Sequence, residues 1–485
     1  MSPLLLFSFV ISYFLILLVV AWYTGRNSNN DSFFIGNRNS NWMLVAFGMI
    51  GTSLSGVTFV SVPGAVARES FAYFQITLGY LLGYLVIAFV LLPLYYRLNL
   101  TSIYNYLSSR LGFISYKTGA SFFILSRTLG ATARLYLVVK ILQDAILESF
   151  HVPFWLTTLI ILAMILLYTY EGGVKTIVWT DTLQTSCMLL GLVICVYYIL
   201  NYLHLGVGES LAAMQEKGYN KIFFTDPHSK FFFLKQILAG AFVTITMTGM
   251  DQEMMQKNIS VKTLKDSQKN VVTLGFIMLV VIFLFLFLGG LLYLFAGTQQ
   301  VTATGDALFP AIALNHMPKM VSVIFIIALI SALFPSADGA ITALTSSFCI
   351  DILGMQRRND WNDAQKKKIR QRIHLGVACL FLLFVMVYKW VDSSSMIGVI
   401  LKVAAYTYGP LLGLFTFGIL LKRNVQDRLV PLVCILSPLL CLVIDKYQKA
   451  LFGSFEIGLE LLIINGLITF TGLWLISSPA VKQKA

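Results

Sequence analysis

Apolar residues recur along this chain in runs of membrane-crossing length, separated by short polar connections. A helix needs roughly 20 apolar residues to cross about 30 Å of hydrocarbon. Windows of that kind fall near 3–24, 42–64, 72–96, 118–147, 152–170, 177–203, 233–256, 270–297, 321–350, 373–391, 394–421, 429–446 and 457–477. The pattern predicts an all-α integral membrane protein of about 13 transmembrane helices, forming a single transmembrane domain over residues 1–485. The first window has neither a basic leading region nor a small-residue cleavage site, so it reads as a span.

The order of the windows carries more than their number. With 3–24 set aside as a leading helix, spans two to six (42–203) and seven to eleven (233–421) form two groups of five. An odd number of crossings makes the second group enter the membrane upside down, which is the arithmetic of an inverted repeat. Spans twelve and thirteen (429–477) are then a peripheral pair.

Polar positions inside the apolar windows are few, so each can be weighed. Residues 50–64 of span two read IGTSLSGVTFVSVPG, with Gly51, Gly56, Pro63 and several hydroxyls in mid-membrane. Span seven, first member of the other group, reads AGAFVTITMTGMDQEMMQ, with Gly240, Gly249, Thr244, Thr246, Thr248 and Asp251. Both are weakened helices at corresponding places, the strongest sequence pointer to a binding site in such folds. Freed carbonyls in hydrocarbon need partners, and a cation can supply them. The other reading is close helix packing through small residues.

In span nine, Ser331, Asp338, Thr342 and Thr345 share one helical face. An acid within a span faces a cavity or a buried partner. Asp181, at the inner end of span six, reads either as functional or as an interfacial, solvated acid. Arg127 and Arg134 lie seven residues apart in span four; each pairs an acid, caps carbonyls or faces an anionic solute. Lys140 and Asp144 read as an i, i+4 pair.

Composition agrees with the pattern: 58% of residues are hydrophobic and 12% charged, with a mean hydropathy of +0.80. The net charge of +13 would suggest nucleic acid in a soluble chain. Its distribution says otherwise. With the N-terminus outside, about 22 of the 35 Lys and Arg fall in loops expected to be cytoplasmic, and about 8 in the opposite set. The densest group, Arg357, Arg358, Lys366, Lys367, Lys368, Arg370 and Arg372, reads as a retention signal or as a contact for anionic lipid. All six cysteines lie in spans without metal-ligand spacing. There is no nucleophile elbow, P-loop or zinc motif, so no enzyme is expected.

On these residues the chain resembles the sodium/solute symporter family, which includes sodium/glucose, sodium/proline and sodium/sialic-acid cotransporters. The resemblance is carried by DSFFIGNRNSNW at 31–42, TSLSGVTF at 52–59, YEGGVKTIVWTDTLQ at 170–184, DQEMMQKNISVKTLKDSQK at 251–269 and the run ending in FCID at 351. It implies a leucine-transporter-like 5+5 inverted-repeat core and sodium-coupled uptake of a small solute. Carried over by motif, the sodium ligands are the carbonyls of Gly51, Leu54 and Ala332 and the side chain of Ser336.

This chain departs from the family pattern in two ways. Pro335 stands where a hydroxyl residue usually precedes the matching serine, which removes a ligand unless the proline frees a carbonyl further up the helix. Asp338 and Gly339 stand where relatives with a second sodium site carry span-nine hydroxyls, so Asp181 and Asp338 are the candidates for a second cation site. The resemblance places solute at Ser55, Thr58, Phe59, Gln75, Thr244 and Thr248; Arg134, one of whose readings above is a counter-charge for an anionic solute, joins them as a candidate. Ser55, Thr58 and Gln75 look like carboxylate-holding groups of the sialic-acid members, although the arginine those members use falls on Gly130.

The reading is a sodium-coupled symporter that imports a small polar solute (a sugar, sugar acid, amino acid or other carboxylate) by alternating access. Its partners are sodium, solute and membrane lipid, without nucleic acid or an obligate protein partner. It is expected in the cytoplasmic membrane with the N-terminus outside and the C-terminus inside. Proton coupling through Asp181 or Asp338, a membrane sensor and a passive permease are the alternatives.

Overall fold

The computed structural model describes residues 3–25, 33–34, 36–391 and 395–479. Asp31, Ser32 and Ile35 of the DSFFIGNRNSNW motif, and the tail 480–485, lie outside the described residues. Helices occupy every predicted window. Among the described residues, 8 are unbroken and apolar enough to cross a membrane, from Leu4–Thr24 to Asp427–Phe452. Spans two, seven and eleven are instead bent pairs: Trp42–Ser53 with Gly56–Glu69, Phe233–Gly249 with Gln252–Ile259, and Met396–Thr407 with Gly409–Leu420. Phe154–Tyr170 and Leu461–Leu475 are shorter apolar helices in windows five and thirteen.

Spans five and six run into one another through a kink at Gly173, whose φ of 54° and ψ of −144° suit glycine alone. A side chain there would also meet the Cα of Phe33 at 2.5 Å. Gly173, ahead of the W-T-D motif, is therefore what turns the chain and lets Phe33 pack against it. A short antiparallel ribbon, β1 (Arg423–Val425) with β2 (Ser477–Pro479), ties the end of span eleven to that of span thirteen. Apolar periodicity gave no sign of it.

Burial separates core from lipid-facing helices. Span nine, Lys319–Ile352, is 78% buried over its apolar window, whereas span twelve is 22% buried and span one 28%. Span nine therefore sits at the centre, packed against spans one, two, four, six and ten. Leu436, Leu439, Leu440 and Val443 of span twelve point outward, as helices bathed in hydrocarbon require.

Spans three and seven cross closely through paired glycines. A Cβ on Gly79 would lie 2.1 Å from the carbonyl oxygen of Ile237, and one on Gly240 would lie 2.2 Å from that of Ile76. Without a hydrophobic force between helices, such contact packing holds spans together. Gly240→Val is expected to abolish recovery of monodisperse protein in detergent, measured by gel filtration. Wild-type yield would refute this account of the crossing.

Candidate ion and solute site

The break in span two lies at Leu54 and Ser55, where the two halves bend by 55°. Gly51 leaves room for span six: a Cβ there would lie 2.4 Å from Thr185 Oγ1, which accepts a hydrogen bond from Gly51 N at 3.1 Å. The Leu54 N–H donates back to Ile50 at 2.7 Å and closes the first half. Among the described residues, the carbonyls of Gly51 and Leu54 receive no backbone hydrogen bond. Helix-end carbonyls carry partial negative charge, so the turn attracts a cation.

Span nine brackets that turn. Pro335 Cγ lies 3.4 Å from where a Gly51 side chain would start, and Leu329 O and Leu333 N lie 3.8 Å from the same point on Gly56. Ala332 and Ser336, one turn apart within this stretch, are both buried. The Ser336 hydroxyl donates to Leu333 O at 2.8 Å, which leaves its oxygen lone pairs available. Pro335 has no N–H for the carbonyl of Ser331, so one span-nine carbonyl is unclaimed by its own helix. Span nine thus packs against the broken turn through Leu329, Leu333 and Pro335, the stretch that carries Ala332 and Ser336.

Beside this turn is a cavity of about 100 Å³. Its polar lining includes Ser53, Ser55, Thr58, Thr244, Thr248, Tyr73, Tyr80, Tyr84, Arg127 and Arg134, and its apolar wall includes Met247, Met278, Ile397, Ile400 and Leu401. No carboxylate is part of this lining. Arg127 is neutralised by ion pairs with Glu253 and with Asp251, the latter at 3.8 Å. Arg134 has no ion pair among the described residues. The second half of span two starts at the same place, with no side-chain cap on its first N–H groups. An arginine and an open helix N-terminus therefore converge on one cavity.

Two of the residues expected at the solute lie elsewhere. Phe59 is fully buried between Phe285, Phe309 and Phe325, at ring-centroid distances of 5.6, 5.3 and 5.9 Å. One residue along a helix turns the side chain by about 100°, so the neighbour of Thr58 faces spans eight and nine instead. Gln75 is spent on the chain: its Nε2 donates to Ala72 O and Phe231 O, and its Oε1 accepts from Phe224 N. It anchors the segment entering span seven. Ser55, Thr58, Arg134, Thr244 and Thr248 do line the cavity.

Asp181 and Asp338 take different hydrogen-bond partners. The face of span nine that carries Asp338 turns towards spans one, five and ten: Ser331 Oγ donates to the Tyr13 hydroxyl at 2.6 Å, Tyr168 donates to Asp338 at 2.7 Å, and Thr345 bonds His374 at 3.0 Å. Asp338 also accepts from Gly339 N at 2.5 Å. Asp181 instead accepts from Lys257 Nζ at 2.7 Å and from Thr52 Oγ1 at 3.2 Å. No hydrogen bond or ion pair joins the two acids among the described residues. Each acid thus has its own hydrogen-bonded partners within the chain, Tyr168 for Asp338 and Lys257 and Thr52 for Asp181.

Span seven breaks at Met250 and Asp251 with a bend of 66°. Here the protein fills the gap itself. Tyr95 donates to Gly249 O at 2.8 Å, Tyr104 to Met250 O at 2.9 Å, and Tyr408 to Asp251 Oδ2 at 2.8 Å. Asp251 caps the second half by accepting from Glu253 N and Met254 N. Glu253 and Lys257, which complete the buried ion pairs beneath the cavity, escaped the sequence reading. Their signal was the acid-x-acid-x-x-x-lysine run that closes an otherwise apolar span.

A family model, the sodium:solute symporter family, matches residues 33–427. The chain belongs to the sodium:solute symporter family. Membership makes it a carrier of sodium and solute across a membrane, not an enzyme. It is 25% identical over 403 residues to the sodium-dependent multivitamin transporter of Oryctolagus cuniculus, covering 79% of this chain but only 60% of that relative. The sodium/sialic acid symporter of Proteus mirabilis is 22% identical over 484 residues, covering 93% of this chain and 92% of the relative. A solved substrate-bound, outward-open sodium-coupled sialic acid symporter superposes with a TM-score of 0.82 at 20% identity, covering 97% of each chain. The fold is thus the leucine-transporter-like one that the resemblance implies.

Proposed function

We propose that this symporter couples sodium entry to uptake of a small organic anion. The observation that supports this reading is Arg134: a cavity at the break of span two is lined by hydroxyls and an arginine without an acidic partner, and by no carboxylate. The carboxylate of the solute would lie between Arg134 and the opening N–H groups of Gly56 and Val57, with Ser55, Thr58, Thr244 and Thr248 around its polar body. Sodium would sit on the carbonyls of Gly51, Leu54 and Ala332 and the hydroxyl of Ser336. The ion and the anion then share one break, the carbonyl end taking the cation and the amide end the anion.

Alternating access follows from the surroundings of the cavity. A second cavity of about 220 Å³, lined by Glu69, Lys230, Lys402 and Asp445, shares Tyr73, Ile397 and Leu401 with the first. With the N-terminus outside, this vestibule opens outward, and the buried pairs of Arg127, Glu253, Lys257 and Asp181 close the cytoplasmic side. Sodium at the turn would hold span two against span nine and so complete the anion pocket. The inverted repeats are taken as 42–203 and 233–421, with 3–24 and 429–477 outside them. The chain is placed in the cytoplasmic membrane, its C-terminus inside, its basic span-nine to span-ten loop against anionic lipid, and every cavity residue supplied by one chain.

The test is uptake into proteoliposomes under an inward sodium gradient, with small carboxylates and neutral sugars compared. Accumulation of a carboxylate and of no neutral sugar is expected. Sodium-driven accumulation of a neutral sugar alone would overturn the anion reading. Ser336→Ala is expected to raise the half-saturating sodium concentration about tenfold, the effect of losing one oxygen ligand worth ~1.4 kcal/mol. Unchanged sodium dependence would remove Ser336 from the site.

A further inference from the structure

Lys257 is a fully buried ammonium group, 3% exposed, on the second half of span seven. Its Nζ donates to Thr52 Oγ1 at 2.6 Å and to Asp181 Oδ2 at 2.7 Å, and lies 3.8 Å from Glu253 Oε1. Its oxygen neighbours come from three spans: Thr52 two residues before the break of span two, Asp181 from span six and Glu253 from span seven. Asp181 Oδ1 and Glu253 Oε1 are buried without a hydrogen-bond partner. Arg127 takes Glu253 Oε2, so Thr52 Oγ1, Asp181 Oδ2 and Glu253 Oε1 are left around the one ammonium of Lys257. That is the donor set a hard monovalent cation takes, and here a side chain of the protein fills it.

We propose that Lys257 is a tethered cation that occupies a second ion position, so that the symporter carries one exchangeable sodium instead of two. A lysine at this point ties the first half of span two to spans six and seven, as a bound ion would. Being covalently attached, it neither dissociates inside the cell nor draws on the sodium gradient. The carboxylate of Asp181 then serves to hold span two, while the only exchangeable ion is the one at Gly51, Leu54, Ala332 and Ser336. The proposal rests on the sodium reading of that turn.

Removing the tether should expose the vacancy. In Lys257→Met the ammonium is replaced by an apolar group of similar length, and Asp181, Thr52 and Glu253 are left facing a space that sodium can enter. Equilibrium binding of radioactive sodium to purified protein, with choline keeping the ionic strength constant, is expected to give one ion per chain for the wild type. It should give two for Lys257→Met, with the Hill coefficient rising from about one towards two. The double variant Lys257→Met/Asp181→Asn should return to one ion.

A single ion on Lys257→Met, or two on the wild type, would overturn the proposal. If Lys257→Met does not survive purification, the wild-type count decides, one ion supporting the tether and two refuting it. A wild type that binds no sodium would defeat the reading of the broken turn. The tether would then still be tested by whether Lys257→Met gains one ion.

Discussion

Arg134→Gln is expected to cost about 10- to 100-fold in apparent affinity for the transported anion, because a hydrogen bond to a charged group contributes roughly 1.5–3 kcal/mol. Glutamine keeps much of the length and two donors but removes the charge and the bidentate fork. Arg134 lines the cavity opposite the break in span two, whereas the ligands assigned to sodium lie across that break on Gly51, Leu54 and span nine. The variant should therefore bind sodium normally in the absence of solute. Half-saturating solute and sodium concentrations, measured on the same proteoliposome preparation, separate the two effects. Loss of sodium binding with solute affinity intact would show that Arg134 supports the turn and not the anion.

Glu253→Ala has the larger structural consequence. Glu253 pairs with Arg127 of span four, lies 3.8 Å from Lys257 and covers Gly339 of span nine. Removing one partner of a buried pair leaves uncompensated charge and typically costs 3–5 kcal/mol. Thermal unfolding in detergent should shift down by far more than for Arg127→Met/Glu253→Met, which removes both charges together. The effect of the double variant minus the summed effects of Arg127→Met and Glu253→Met alone is the coupling energy of a double-mutant cycle. If the double variant were as unstable as the sum of the two single ones, the pair would contribute nothing to closing the cytoplasmic side.

The breaks in spans two and seven were legible in the sequence, because glycine, proline and clustered hydroxyls weaken a helix in the middle of an apolar run; the 45° bend of span eleven was not read. The inverted grouping needs only the order of the spans, and it remains part of the proposal. What could not be read was direction around each helix. Phe59 adjoins Thr58 in sequence yet joins an aromatic cluster on another face, and Gln75 is consumed by backbone groups more than 140 residues away. Asp338 was correctly singled out as a buried acid, but its partner Tyr168 lies 170 residues earlier and leaves no mark on local periodicity. Lys257 was hidden for a different reason. A lysine at the predicted end of a span reads as an interfacial charge, and only the third dimension puts Asp181 and Thr52 beside it.

Spans two and seven differ in what closes their breaks. Three phenols from outside span seven satisfy Gly249, Met250 and Asp251, so that joint is riveted to its neighbours whatever is bound. In span two no phenol reaches the carbonyls of Gly51 and Leu54 among the described residues, and on the proposed reading sodium takes that place and leaves it with each turnover. Movement between outward- and inward-facing states should therefore concentrate at Leu54 and Ser55, with span seven moving as a rigid elbow. Sodium then acts less as a passenger than as a removable pin.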